Sequence, residues 1–139
     1  MRLDMPVITI LHDGKRARLM RDYCVRIAGY KPIVVPRGFV TDSVSAGPFQ
    51  FLVPKFGPWF GAAVVHDWLY RTGIVARKDA DDIFLALMTR AGVNPATRWV
   101  MYQAVRWFGG KFYKPVGVDV VMMQTQLSIE RRMATPKEQ

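Results

Sequence analysis

The apolar positions of this chain change their spacing partway along it. Up to Val40 they come in short runs separated by turn residues, and from Pro58 onward they recur at helical intervals. Val7-Ile-Thr-Ile-Leu11 reads as a strand, and the His12-Asp13-Gly14-Lys15 segment after it contains Asp-Gly, a strong hairpin-turn signal. Leu19 to Ala28 carries Tyr, Val and Ile and reads as a second strand. Gly29-Tyr-Lys-Pro32 punctuates, and Ile33 to Val40 reads as a third strand. Residues 41–58 form a long connection rich in Ser, Gly, Pro and Phe, and long connections inside compact domains are often functional.

Three helices are predicted next. The first starts near Pro58, which suits the first helical position after Gly57, and ends at Gly73. The second starts near Arg77. Its Ala80, Ile83, Phe84, Leu87, Met88 and Ala91 fall on one stripe, and Gly92 stops it. The third opens on Asn94 as cap with Pro95 behind it, runs to Gly109-Gly110, and gathers Val100, Met101, Ala104, Val105 and Phe108 on its apolar face. Beyond Pro115 only Val118 to Met123 shows patterning, and Ala134 to Gln139 reads as a disordered end.

This order predicts an α+β fold, an N-terminal antiparallel β section packed on a three-helix C-terminal unit. It is read as one domain over residues 1–116 with a C-terminal extension over 117–139. A chain of 139 residues can bury roughly 68% of its unfolded surface. Half of the residues are apolar and 12% are aromatic, which excludes a disordered chain. No segment is long and apolar enough to span a bilayer, and Met1-Arg2-Leu3-Asp4 lacks the apolar core of a signal peptide. The single cysteine, Cys24, forms no internal disulfide and reads as a small buried residue in a strand, in keeping with a cytosolic origin.

A net charge of +9 suits a polyanionic partner, whether nucleic acid, an anionic lipid surface or an acidic protein surface. The cations are scattered, however, with doublets only at Lys15-Arg16, Arg77-Lys78 and Arg131-Arg132. Nucleic acid is therefore expected to bind only by non-specific electrostatics.

The candidate chemistry sits in Gly61-Ala-Ala-Val-Val-His66-Asp67-Trp-Leu-Tyr70. A helix apolar on nearly every side is normally buried, and burying an imidazole and a carboxylate is costly unless each is paired. At 100° per residue His66 shares a face with Trp59, Ala63 and Tyr70, whereas Asp67 points about a quarter-turn away. Each therefore needs its own partner. On the second helix Asp79 and Asp82 lie on the polar back, but Asp81 falls at the edge of the apolar stripe. A His66–Asp81 dyad would fix the imidazole tautomer and let His66 deprotonate a water. The plainer alternative is a buried polar network that locks two helices and the 41–45 loop together.

Thr41-Asp42-x-x-Ser45 reads as a cap or turn, or else places Asp42 beside His66 as an acid or cation ligand. Asp42 and Asp67 around one histidine would favour a hard cation over zinc. Phe56, Trp59, Phe60 and Trp68 read as core, with a lipid-facing patch as the alternative. Arg98, Tyr102 and Arg106 share one face of the third helix and could bind a phosphate or a partner carboxylate.

Four motifs in order, Gly38-Phe-Val-Thr-Asp42-Ser-Val-Ser45, His66-Asp-Trp-Leu-Tyr70, Ala80-Asp81-Asp-Ile-Phe84 and Met101-Tyr102-Gln-Ala-Val-Arg106, resemble a phage- and prophage-associated family of small proteins of unknown function. The resemblance covers residues 33–110 and departs at Gly47, where the family pattern has proline. It implies a virion-associated or accessory protein, located in the host cytoplasm or the assembled particle, with phage or host proteins as partners. More distantly, the His-Asp-x-x-Tyr helix followed by an inward Asp resembles the catalytic core of phospholipase A2. That likeness implies His66 as base, Asp67 as a calcium ligand, Tyr70 as an orienting hydroxyl and Asp81 as the second member of the dyad. The chain departs from it where a glycine-rich calcium loop would stand, since the residues there are Phe56-Gly-Pro-Trp-Phe-Gly61. Two readings follow, a docking component with a structural His–Asp network and a hydrolase. Solvent access to the imidazole separates them.

Overall fold

The computed structural model describes residues 3–14, 16–41 and 57–114. Five short strands come first, β1 (Ile8–Ile10), β2 (Ala17–Leu19), β3 (Tyr23–Val25), β4 (Ile33–Val35) and β5 (Val40–Thr41). Three helices follow, α1 (Phe60–Thr72), α2 (Arg77–Arg90) and α3 (Pro95–Phe108), and Gly109–Phe112 winds on as a 3-10 turn. The architecture is α+β, with all strand pairings antiparallel. β1, β2 and β5 form one sheet in the order β1-β2-β5, and β3 and β4 form a second.

The Asp-Gly signal marks a hairpin. β1 pairs with β2 in the register Ile8↔Leu19, and Gly14 takes a left-handed φ of 67° in the turn. The Asp13 carboxylate accepts from the Arg16 amide at 3.1 Å and from its Nε at 2.7 Å. The strand expected over Leu19–Ala28 is two strands broken at Met20–Asp22, and the one expected over Ile33–Val40 is also two. Both breaks are fixed by hydrogen bonds across the turns. Gly38, at φ 91°, donates to the Leu19 carbonyl, and the Asp22 carboxylate accepts from the Arg37 amide at 2.7 Å.

β2, β3 and β4 alternate. Ala17 and Leu19, Tyr23 and Val25, and Ile33 and Val35 point into the core, while the residue between each pair faces out. Cys24 is one of the outward residues, so the expected burial is corrected. With Tyr23 and Val25 inward, strand periodicity turns its thiol to solvent.

α1 runs through the middle of the core. Phe60, Val64, Val65, Trp68 and Leu69 are buried against α2's Ala80, Ile83, Phe84, Leu87 and Met88 and against the strand residues. Phe60 and Trp68 are core residues and Trp59 is partly buried. Trp68 packs edge-on to Phe39 at 5.2 Å between ring centres. Gly73 closes α1 in a left-handed cap whose amide donates to Leu69, and a short connection turns the chain antiparallel into α2. α3 starts as expected, with Asn94 accepting from the Ala96 amide and Pro95 behind it.

The apolar face of α3 is corrected at its edges. Ala104 is buried and Met101 and Val105 pack partly buried against the core, whereas Val100 and Phe108 are exposed, as are Trp99 and Trp107 outside the predicted face. The main helix contact of α3 is with α2, and the edges of its stripe reach past that contact. No helix among the described residues is long and apolar enough to cross a membrane. The expectations for Asp42, Ser45, Gly47, Phe56 and residues 115–139 lie outside the described residues.

Candidate functional site

The apolar stripe of α2 carries Asp81 into the core. Ala80, Ile83, Phe84, Leu87 and Met88 must face α1, and the helical turn that buries them takes Asp81 with them, with no exposed surface left. A buried carboxylate requires donors, and Asp81 has three. Its Oδ1 lies 2.7 Å from His66 Nε2 and accepts from the Tyr70 hydroxyl at 2.6 Å. Its Oδ2 accepts from Arg106 Nη1 at 2.6 Å. α1 supplies two of the donors because His66 and Tyr70 stand one turn apart on one face, and α3 supplies the third.

These bonds decide the protonation states. Burial opposes ionisation of Asp81, but hydrogen bonds from His66, Tyr70 and Arg106 outweigh it and hold the carboxyl below its ordinary range. The same surroundings push the Tyr70 hydroxyl upward, first by burial and then by its bond to Asp81, so it remains a donor. An ionised Asp81 can only accept. His66 Nε2 therefore carries a proton, and in the neutral ring Nδ1 holds the free lone pair.

Nδ1 meets solvent. Among the described residues no group hydrogen-bonds it, and no buried side-chain nitrogen or oxygen is left without a partner. The His66 side chain keeps 12% of its surface. Its flat faces are covered, by Tyr70 at 4.1 Å and Phe84 at 4.7 Å between ring centres. The ring is thus fixed in plane, tied at one nitrogen and open at the other.

Asp67 has a separate set of partners, as its helical angle required. Its Oδ2 accepts from the buried Thr41 hydroxyl at 2.7 Å, and its Oδ1 lies 3.0 Å from Arg71 Nε, one turn on. Arg71 also donates to the Val40 carbonyl and lies over the Phe39 ring at 5.3 Å. Asp67 therefore ties β5 to α1. The Thr41 hydroxyl and the Arg71 guanidinium engage both oxygens of Asp67, and Asp42, the other carboxylate expected at a cation, lies outside the described residues. Among the described residues no group of three or more His, Cys, Asp or Glu is placed to hold a metal ion.

The predicted trio on α3 separates. Arg106 joins Asp81, Tyr102 donates to Asp82 Oδ1 at 2.7 Å, and Arg98 turns back to the Val93 carbonyl at 3.4 Å. The carboxylates met by Arg106 and Tyr102 belong to α2, and the three side chains do not form a common anion receptor. Asp82 is shared with Lys78 at 2.6 Å, and these two bonds hold it below the ordinary carboxyl range.

Sequence reading missed Arg77, Thr41 as a donor, and Arg71. Arg77 Nε donates to the Tyr70 hydroxyl at 3.2 Å, and its Nη2 donates to the Val105 and Arg106 carbonyls at 2.8 and 2.7 Å. It thereby caps the end of α3 that carries Arg106 and holds Tyr70 against Asp81. Arg71 was discoverable, since Asp67 and Arg71 are four apart on a helix. Nothing in local spacing connects Arg77 with Val105.

A sequence model of a family described as "Protein of unknown function (DUF1353)" matches residues 17–105. That stretch runs from β2 through nearly all of α3 and ends one residue before Arg106. No curated protein and no solved structure matches the chain.

Proposed function

The chain belongs to the DUF1353 family of proteins of unknown function, and from that starting point we propose that His66 is the general base of a hydrolase. The observation that carries the reading is the division of its imidazole, with Nε2 on a buried, ionised Asp81 and Nδ1 reaching solvent. Such a ring accepts a proton at Nδ1 and is stabilised as imidazolium by the carboxylate at Nε2. In ester hydrolysis a water oxygen would attack the acyl carbon while its proton passes to Nδ1. The acyl–oxygen bond would break, and the imidazolium would return the proton to the departing alkoxide. Asp81, Tyr70 and Arg106 act by holding the ring. The His66–Asp81 pairing supports the likeness to phospholipase A2 drawn from the sequence, and phospholipid esters are the first substrates to try.

The test uses the full chain on phospholipid vesicles and on soluble esters. A general base contributes roughly 10²–10⁴-fold, so His66→Gln should lose about that factor while retaining the circular dichroism of the parent. Absence of hydrolysis by the parent on every ester, or equal rates in His66→Gln, overturns the reading.

The second reading is a phage-associated virion or accessory component, in the host cytoplasm or the particle, that docks on other proteins and uses its His–Asp network for stability. The engagement of Asp67 by Thr41 and Arg71 favours it, since half of the His-Asp motif is committed to tying β5 to α1. Under it, His66→Ala unfolds the chain and no hydrolysis is detected at any stage.

A further inference from the structure

α3 and the turn after it present a second feature that the His66 site does not use. Trp99 and Trp107 are 60% and 70% exposed, and Val100 and Phe112 are exposed beside them. Trp99 and Trp107 stand eight residues apart, which places them about 80° apart around the helix and about 12 Å apart along it. Gln103 lies between them on the same side. Tryptophan is the side chain that loses most by standing in water, and two on one outward stripe require an occupant.

The charge around this stripe is one-sided. No acidic residue occurs between Asp82 and Asp119, whereas Arg90, Arg98, Arg106, Lys111 and Lys114 fall in that interval. Among the described residues, the cations Arg77, Lys78, Arg106, Lys111 and Lys114 at the C-terminal end of α3 meet only the carboxylates of Asp81 and Asp82. Arg106 is held by Asp81 and Lys78 by Asp82. Arg77 has only neutral partners, the Tyr70 hydroxyl and two carbonyls, and Lys111 lies over the Phe112 ring at 5.1 Å. A surplus of positive charge therefore borders exposed indole and phenyl rings.

We propose that this face of α3 and the following turn docks on an anionic lipid surface, with Trp99, Trp107 and Phe112 at headgroup depth and Lys111 and Lys114 against the phosphates. Amphipathic aromatic rings favour the wet side of a bilayer boundary, and a neighbouring basic side chain adds roughly fivefold in partitioning through attraction to anionic headgroups. Self-association is disfavoured by the same charge, because a second copy would bring a second positive rim against the first. Duplex nucleic acid would use the charge and leave the tryptophans without cause, and a single strand stacked on the tryptophans would leave the aliphatic Val100 without cause. The proposal does not depend on the hydrolase reading, and its test measures binding alone.

The full chain is sedimented with phosphatidylcholine vesicles, with and without phosphatidylglycerol, while tryptophan emission is followed. Binding to the anionic vesicles with a blue shift is expected, together with weak binding to the neutral ones. Trp99→Gln with Trp107→Gln should weaken binding at least about tenfold, and Lys111→Glu with Lys114→Glu should abolish the preference for phosphatidylglycerol. Unchanged circular dichroism in both variants confirms that they are folded. The proposal is overturned by absence of binding to anionic vesicles, or by binding that the tryptophan pair does not affect. It is also overturned if acrylamide fails to quench Trp99 and Trp107 in lipid-free chain, which would mean that a second copy or residues 115–139 occupy the face. Equal affinity for heparin, insensitive to the tryptophan pair, would likewise reduce the surface to general electrostatics.

Discussion

Arg106 Nη1 lies 2.6 Å from Asp81 Oδ2, joining the last turn of α3 to the first turns of α2 across the buried end of the site. Asp81 has no exposed surface and Arg106 keeps 30% of its side chain exposed. The pair thus brings one solvent-touching cation to a carboxylate that water does not reach. Its weight in stability follows from that asymmetry, because removing one partner strands a charge in the core.

Arg106→Met is expected to destabilise the chain by about 3 kcal/mol. Asp81→Asn should cost a similar amount. A double-mutant cycle by urea unfolding should give a coupling of about 1 kcal/mol or more between them. Additive effects would mean that Arg106 does not support the carboxylate.

Stability should fall in acid through Asp81. Its carboxyl is held below the ordinary value of 3.8, so its contribution is present above that value. As pH drops, the unfolded chain takes up a proton first, and stability is lost until the folded carboxyl is also protonated. The melting temperature should therefore steepen its decline below about pH 4. In Asp81→Asn this limb should be shallower, and parallel curves would assign the acid sensitivity elsewhere.

Gly109→Ala should displace Tyr70. A Cβ at this position would stand 2.7 Å from the Tyr70 hydroxyl and 3.1 Å from its ring. The hydroxyl is held by Asp81 and Arg77 and cannot swing aside without breaking both bonds. A loss of about 1–3 kcal/mol is expected, the usual range for overpacking. Tyr70→Phe, which removes the bond and keeps the ring, should cost about 1 kcal/mol, and the glycine variant combined with it should cost less than the sum.

Thr41→Val keeps the shape of a buried side chain and removes the donor to Asp67. About 1–2 kcal/mol of destabilisation is expected in thermal or urea melts. By contrast, Lys78→Ala breaks an exposed pair with Asp82 and should change stability by about 0.5 kcal/mol or less. If the two variants were equally destabilised, the Thr41–Asp67 bond would not be the link that fastens β5 to α1.

Much of this was legible along the chain, and for identifiable reasons. The stripe of α2 is regular enough to show that Asp81 must turn inward, and 100° steps on α1 put His66 and Tyr70 on one face and Asp67 off it. Asn94-Pro95 and Gly73 marked helix ends because each answers a local demand of the backbone. What escaped was set by partners distant in sequence. The breaks at Met20–Asp22 and Pro36–Phe39 depend on bonds between Leu19 and Gly38 and between Asp22 and Arg37. The exposed Val100 and Phe108 show that periodicity reveals which side of a helix is apolar but not how far the neighbouring layer covers it. Arg106 and Arg77 reach their partners through the crossing of helices, which no local spacing encodes.

The left-handed cap at Gly73 has a consequence for assembly. By folding α1 directly back on α2 it brings His66 and Asp81, 15 residues apart, together through a closed loop short enough that little chain entropy opposes it. The imidazole–carboxylate contact thus belongs to a helical hairpin that can form early, before the β strands and α3 add their more distant ties. A lengthened turn at the tip of β1 and β2 should slow the later steps and leave that hairpin intact, with Arg106 joining the pair only when α3 docks.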